Sequence, residues 1–249
     1  MEAYLDTTKS LDTLIVGAGF AGMYSLHKQL SDGFKAEIYE QADDVGGTWY
    51  WNRYPGARCD IESMDYSYSF SEELQQEWNW KEKYGTQPEL LKYAQYVSKK
   101  FNLRDKINFN TKITKANFNE KYQNWFIKTD KDEVITSKNL ILATGNLSTP
   151  NTPHFPGINE FKGNIYHTGA WPKEMPNFKG KRVGIIGTGS SGVQSIPIIS
   201  ETAQQLLVFQ RTPNFSLPAR HRDLPEDRRD EYKKNYKKYR DLAKNSSFG

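Results

Sequence analysis

The spacing of hydrophobic positions along this chain changes in an order that occurs twice. Thr13–Val16 is a short β-branched run, and Met23–Leu30 then alternates apolar and polar residues at helical rather than strand spacing. Ala36–Glu40 reads as a second strand, and Gly17-Ala18-Gly19-Phe20-Ala21-Gly22 lies between the first strand and the helix. The same succession returns later. Arg182–Ile186 is an apolar strand, Gly187-Thr188-Gly189-Ser190-Ser191-Gly192 follows it, a helical stretch comes next, and Leu206–Gln210 is the closing strand. Two strand–glycine turn–helix–strand units predict an α/β fold made from a duplicated Rossmann-like, dinucleotide-binding unit.

Between the two copies the pattern is less regular. Val45–Trp80 is polar and aromatic with little periodicity, and is expected to lie over the sheet. Glu89–Asn102 reads as a helix. Ile107–Ile113, Ala116–Phe118, Trp125–Thr129 and Val134–Thr136 read as short strands forming an antiparallel meander inserted in the first unit, and Asn139–Thr144 as a buried strand leading into Gly145. Ser148–Gly157 has three prolines in ten residues and reads as a connector. The expected division is a first unit over 1–147, a connector over 148–180 and a second unit over 181–249.

Composition narrows the class without changing this outline. With 249 residues, 37% hydrophobic and 26% charged, the chain is of ordinary globular character. It contains no apolar run near the roughly 18–20 residues that span a bilayer. Its start has acidic residues ahead of a short strand and no small-residue cleavage site, so a secretory leader is not expected. Cys59 is the single cysteine and the four histidines lack ligand spacing. A cytoplasmic, metal-free protein is the expectation. The net charge of +4 resides in 219–244, with ten Lys/Arg and six Asp/Glu. There the signs alternate and Tyr232, Tyr236, Tyr239 and Leu242 recur at helical spacing, which favours a packed helix over a nucleic-acid-binding tail.

The two glycine turns ask for different ligands. In each, the first glycine permits the tight turn, the second lets the backbone approach a pyrophosphate, and the third (Gly22 or Gly192) lets helix pack on strand. The first copy ends its second strand at Glu40, 18 residues after Gly22. A carboxylate there accepts from ribose hydroxyls and repels a 2′-phosphate. The second copy offers Arg211, 19 residues after Gly192, whose guanidinium would pair with a 2′-phosphate. FAD in the first unit and NADPH in the second is the pairing that makes redox sense.

Three further stretches make the chain resemble a family. They are GGTWYWNRYPGARCD (46–60) with IESMDYSYSF after it, LATGNLSTPNTPHFPG (142–157) and FKGNIYHTGAWP (161–172). With the glycine turns, they resemble the type I Baeyer–Villiger monooxygenases. Trp171-Pro172 favours that branch over the N- and S-oxygenating flavin monooxygenases, which stay open as an alternative together with an NADPH oxidase. The resemblance implies that Gly17, Gly19, Phe20, Gly22 and Glu40 hold the adenosine and pyrophosphate of FAD, while Thr48, Trp49 and Tyr66 line the flavin and its linker. It puts Arg58 and Cys59 beside the cofactor, with no sequence neighbour of Cys59 that would activate its thiol. Asp60 matches an active-site aspartate near the flavin and nicotinamide, where on physical grounds a carboxylate would orient a catalytic arginine by pairing with it. Thr188, Gly189, Ser190, Ser191, Gly192, Gln194, Arg211 and Thr212 would hold NADPH, and His167 and Trp171 belong to the family's fingerprint.

The resemblance further implies that NADPH reduces FAD and that one atom of O2 is inserted beside a ketone carbonyl, giving an ester or lactone. No nucleic acid or membrane is expected as a partner. The catalytic arginine would lie downstream of Gly249, and both dinucleotide units would be incomplete at their C-terminal sides. The chain alone is therefore expected to be inactive. A non-catalytic half-protein that needs a C-terminal half on another chain stays open beside the enzyme readings.

Overall fold

In a computed structural model, which describes residues 9–246, the elements run β1 (Lys9–Val16), α1 (Phe20–Ser31), β2 (Ala36–Tyr39), α2 (Thr48–Trp51), α3 (Glu72–Glu77), α4 (Gln87–Lys100), β3 (Ile107–Asn108), β4 (Ile113–Asn119), β5 (Asn124–Thr129), β6 (Val134–Leu142), β7 (Arg182–Ile186), α5 (Ser190–Ser200), β8 (Gln205–Phe209), α6 (Glu226–Lys234) and α7 (Tyr236–Lys244). They fall into two compact units. One comprises the chain up to Trp51 with Leu91–Asn151, and the other Asn52–Leu90 with Thr152 onward. Residues 52–90, grouped with the first unit on sequence, thus pack in the second.

The first unit holds a six-stranded sheet in the order β3-β2-β1-β6-β5-β4. β1 lies parallel to β2 and β6, and β2 parallel to β3, while β5 runs antiparallel to both β6 and β4. Alternate residues of β1 enter separate cores, as the period of two requires. Ile15 joins Met23, Leu26, Ile38 and Ala94 on one face, and Leu14 joins Leu11, Ile127 and Ile135 on the other.

The expected meander is therefore the antiparallel flank of the dinucleotide sheet itself. Two strands expected as separate, Val134–Thr136 and Asn139–Thr144, are one continuous β6. Its first half pairs with β5 and its whole length with β1. Ser137-Lys138, left between the two expected strands, is part of the strand. The Ser137 hydroxyl donates to the Asn139 carbonyl at 2.8 Å, and Asn139 Nδ2 donates to the Asp12 carbonyl at 3.0 Å. Nor is the end of β6 buried, since Leu142 is 67% exposed. Ile107–Ile113 in turn divides between β3 and β4, because Asn110 takes a positive φ of 51° between them.

In the second unit β7 and β8 form a two-stranded parallel pair, with α5 between them in sequence. A parallel pair needs cover on both faces. Among the described residues that cover is partial, and Ile186, Leu207 and Phe209 are exposed. The basic tail forms two helices rather than one. Asn235 breaks them at φ −124°, ψ 22°, its Nδ2 donating to the Glu231 carbonyl at 2.9 Å to finish the last turn of α6. Tyr232 and Tyr236 are buried, and Tyr239 stacks on Tyr232 at 4.2 Å. The Tyr232 hydroxyl meets the Asp65 carboxylate, and Arg240 donates to the Asp65 carbonyl at 2.6 Å. Leu242, expected in the same stripe, is 59% exposed, because six residues on from Tyr236 it lies about 120° round α7 from that buried side chain.

Candidate functional site

The first glycine turn is a closed piece of backbone. Gly17 N–H donates to the Tyr39 carbonyl at 2.9 Å, tying the turn to the end of β2. Gly17 has φ 101°, and a Cβ there would lie 2.6 Å from the Ala143 carbonyl oxygen just beyond β6. At Gly22 a Cβ would come within 1.9 Å of the Gly17 carbonyl oxygen, so only glycine lets α1 start this close. A second glycine pair covers the turn. Gly46 N–H donates to the Ala18 carbonyl at 3.0 Å, and a Cβ on Gly47, at φ 53°, would lie 2.8 Å from Gly19 Cα.

Gly19 caps α1 without a side-chain bond, and the first helical turn has no acidic residue. The positive end of the helix dipole there suits an anion. The buried Glu40 immediately follows β2. Its Oε2 accepts from Ala18 N–H at 2.6 Å and its Oε1 from Ala42 N–H at 2.8 Å. Each carboxylate oxygen keeps a lone pair for a further donor. Phe20 opens α1, Thr48 opens α2, and Trp49 is buried in α2. This geometry fits a dinucleotide bound by pyrophosphate and ribose.

The second turn repeats the first with altered chemistry. Gly187 N–H donates to the Phe209 carbonyl at 2.9 Å, as Gly17 does to Tyr39. A Cβ on Gly192 would be 2.5 Å from the Gly187 carbonyl oxygen, and Gly189 caps α5 without a side-chain bond. Ser190 opens α5, and Ser191 accepts from the Ser195 hydroxyl through its carbonyl at 2.7 Å.

This repeat corrects the sequence reading of the closing residue. Val16 pairs with Tyr39 and Ile186 with Phe209, so the counterpart of Glu40 is Gln210, one residue before Arg211. Gln210 is also 18 residues after Gly192, the interval from Gly22 to Glu40, and that spacing could have identified it. Gln210 Nε2 donates to Thr188 Oγ1 at 2.6 Å, and Asn214 Nδ2 donates to the Thr188 carbonyl at 2.9 Å. Thr188 stands where Ala18 stands in the first turn, so both copies tie this position to the end of the second strand. Arg211 and Thr212 lie in the exposed bend beyond β8.

The remaining expected residues belong to the second unit. Arg58 reaches Glu82 at 3.4 Å, and His221 Nε2 lies 2.7 Å from the same carboxylate. Cys59 is buried; burial pushes its thiol pKa up to about 11, and its Sγ accepts from Ile61 N–H at 3.4 Å. That is the environment of an inert thiol. Asp60 is exposed and forms no ion pair among the described residues, and Tyr66 is half-buried. Gln194 is engaged with Tyr54 and Arg58. In the fingerprint, His167 Nδ1 accepts from Gly169 N–H at 3.1 Å, and the buried Trp171 stacks near Tyr166. No metal-ligating cluster and no helix long and apolar enough to cross a membrane occur among the described residues.

The chain matches the family model described as flavin-binding monooxygenase-like over residues 11–223. It is similar to a phenazine N-monooxygenase of Lysobacter antibioticus, with 44% identity over 97% of this chain and 45% of that protein. A Baeyer–Villiger monooxygenase of Pseudooceanicola batsensis is 43% identical over 99% of this chain and 46% of its own length. Among solved structures, an oxidized steroid monooxygenase bound to NADP superimposes with a TM-score of 0.92 at 52% identity, covering 95% of this chain and 45% of that one. The chain spans about half the length of the curated relatives it matches.

Proposed function

Because the chain belongs to the flavin-binding monooxygenase-like family, we propose that it is the dinucleotide-binding portion of an FAD- and NADPH-dependent monooxygenase of the Baeyer–Villiger type, acting on a small ketone with O2. The observation that carries this reading is the duplicated turn closed by opposite chemistry, Glu40 in one copy and neutral Gln210 followed by Arg211 in the other. Similarity to a Baeyer–Villiger monooxygenase and to a solved steroid monooxygenase bound to NADP supports it.

In this proposal the amides of Gly19–Gly22 take the FAD pyrophosphate and Glu40, held by Ala18 and Ala42, takes the adenine ribose. Thr48 and Trp49 line the cofactor from α2. The Thr188–Gly192 turn takes the NADPH pyrophosphate, and Arg211 with Thr212 takes the 2′-phosphate that a carboxylate at position 210 would repel. When bound, FAD would supply hydride acceptance and oxygen activation. Asp60 would orient a cationic residue of the remaining protein, for which an exposed, unpaired carboxylate is suited. The proposed setting is the cytoplasm, where a lone thiol such as Cys59 stays reduced.

The 44% identity to a phenazine N-monooxygenase favours a second reading, oxygenation of a ring nitrogen. An absorption spectrum after FAD addition and removal of excess tests the first site, and retained flavin bands that Glu40→Ala abolishes are expected. A colourless wild-type chain counts against the FAD assignment. On the complete protein, an ester product from a ketone supports the first reading, and an N-oxide without ester the second.

A further inference from the structure

We propose that Gln194 is a positioning residue that fastens the Tyr54–Arg58 turn onto the helix opened by the second glycine turn, so that a dinucleotide bound there controls the set of the Arg58–Asp60 segment. The proposal rests on reading that turn as an NADP(H) site, and assigns Gln194 a role other than direct contact with the cofactor.

Gln194 lies one turn into α5. Its Oε1 accepts from the Tyr54 hydroxyl at 2.9 Å and from the Arg58 N–H at 3.3 Å, and its Nε2 donates to the Arg58 carbonyl at 3.1 Å. The side-chain amide therefore pairs with the Arg58 backbone as a neighbouring strand would, N–H to O and O to H–N. Both lone pairs of Oε1 and one N–H of Nε2 are used, which leaves the amide a single N–H for a ligand.

The backbone of Gln194 closes the same contact. Gly56 has φ 77°, and a Cβ there would lie 2.2 Å from the Gln194 carbonyl oxygen, so the turn can approach α5 only with glycine at this point. From the other side, Gln87 N–H donates to the Ala57 carbonyl at 2.8 Å, Cys59 N–H to the Gly85 carbonyl at 2.9 Å, and Arg58 bridges to Thr86. The backbone leading to Asp60 is thus held between α5 and residues 85–87, while the Asp60 side chain stays exposed. A change in α5 on binding at its N-terminus meets this segment at Gln194, through its side-chain amide and its backbone carbonyl.

The test follows amide hydrogen exchange at Arg58–Ile61 in the 249-residue chain with and without NADP+, alongside calorimetric binding of 2′,5′-ADP. In the wild type, NADP+ should slow exchange at Arg58 and Cys59 by at least about fivefold, the scale of a local opening equilibrium shifted by binding. Gln194→Ala should bind 2′,5′-ADP within about threefold of wild type, a ratio too small for a lost direct contact, yet lose the NADP+-dependent slowing. Tyr54→Phe, which removes one of the contacts, should keep it. A merely structural role would raise exchange without changing the response to NADP+. Slowing that persists in Gln194→Ala overturns the proposal, as does a loss of affinity above about tenfold, which would make Gln194 a ligand. If Gln194→Ala does not fold, Gln194→Glu keeps the side-chain length, loses the donation to Arg58 and serves the same comparison. A wild-type chain that binds neither ligand removes the NADP(H) reading and the positioning role together, whereas binding with unaltered coupling removes the positioning role alone.

Discussion

Replacing Glu40 with glutamine separates the two jobs that its carboxylate performs. The side chain is 5% exposed, and its oxygens accept from two backbone amides, Ala18 N–H at 2.6 Å and Ala42 N–H at 2.8 Å. Glutamine has one acceptor oxygen. Whichever way its amide turns, one backbone N–H faces an NH2 group, and a buried backbone donor cannot rotate away to find water. Losing a charge-assisted hydrogen bond and stranding its donor costs about 2–4 kcal/mol. The loss should fall on the first unit, because Ala18 belongs to the core cluster of β1 and α1. Amide exchange at Leu14 and Ile15, both fully buried, reads opening of that core without requiring the two units to unfold together. Their exchange should accelerate by roughly 30- to 1,000-fold, the same free energy expressed as a ratio. Glu37→Gln is the control. Glu37 is also buried on β2, but its partners are the side chains of Lys9 and Asn108, which can reorient, so its effect should stay below about tenfold. An acceleration under threefold in Glu40→Gln would refute the argument that this carboxylate braces the turn.

Four other outcomes follow from the same geometry. Gln210→Glu should weaken 2′,5′-ADP binding while sparing 5′-ADP, and Arg211→Ala should weaken the former by about tenfold or more; equal losses for both ligands would place neither residue at the 2′-phosphate. Gly22→Ala should unfold the first unit, since its Cβ would meet backbone at 1.9 Å, and a variant of wild-type thermal stability would contradict that contact. Native Cys59 should resist thiol reagents at pH 8, where a buried thiol raised to about 11 is protonated, and should react on denaturation; rapid native labelling would show it accessible. Acid should destabilise the chain in steps. Burial, and then Lys28, lowers the His27 pKa below its ordinary 6.5, so the unfolded state binds more protons and this contribution is lost as pH falls through the folded value. Burial alone would raise Asp44, but hydrogen bonds from Arg104, Val45 and Gln95 hold it below the ordinary 3.8, so its contribution is present above that value and disappears at lower pH. A denaturation midpoint that rises as pH falls from 7 to 4 would contradict the first sign, and one that rises on acidification below 3.8 would contradict the second.

Both glycine turns were legible in the sequence because their requirements are local. Positive φ at Gly17 and Gly187 and the helix–strand approach at Gly22 and Gly192 demand glycine whatever surrounds them. The continuity of β6 was not legible, since Ser137-Lys138 interrupt the apolar pattern and only the pairing with β1 and β5 carries the strand through them. A helical stripe through Tyr232 and Tyr236 was readable, but its interruption depends on how Asn235 spends its side-chain amide. Gln210 was overlooked because the charge of Arg211 drew attention from the interval that both copies share. The grouping of 52–90 with the second unit rests on hydrogen bonds such as Gln194 to Arg58, far apart in sequence, which no local pattern announces.

β6 also carries a consequence for how this sheet can vary. Its early residues keep antiparallel step with β5, and the same strand in parallel step with β1 delivers Ala143 against Gly17. The hairpin therefore acts as a gauge that fixes the height of the glycine turn's ceiling. Residues can be inserted at the exposed tip of the neighbouring β4–β5 hairpin, around Glu120–Gln123, without disturbing that setting. A single residue gained or lost between Val134 and Ala143 would turn every later side chain to the opposite face and lift the ceiling from the turn. Divergent members of such a lineage can lengthen the hairpin tip freely, while the span from Val134 to Ala143 must keep its count.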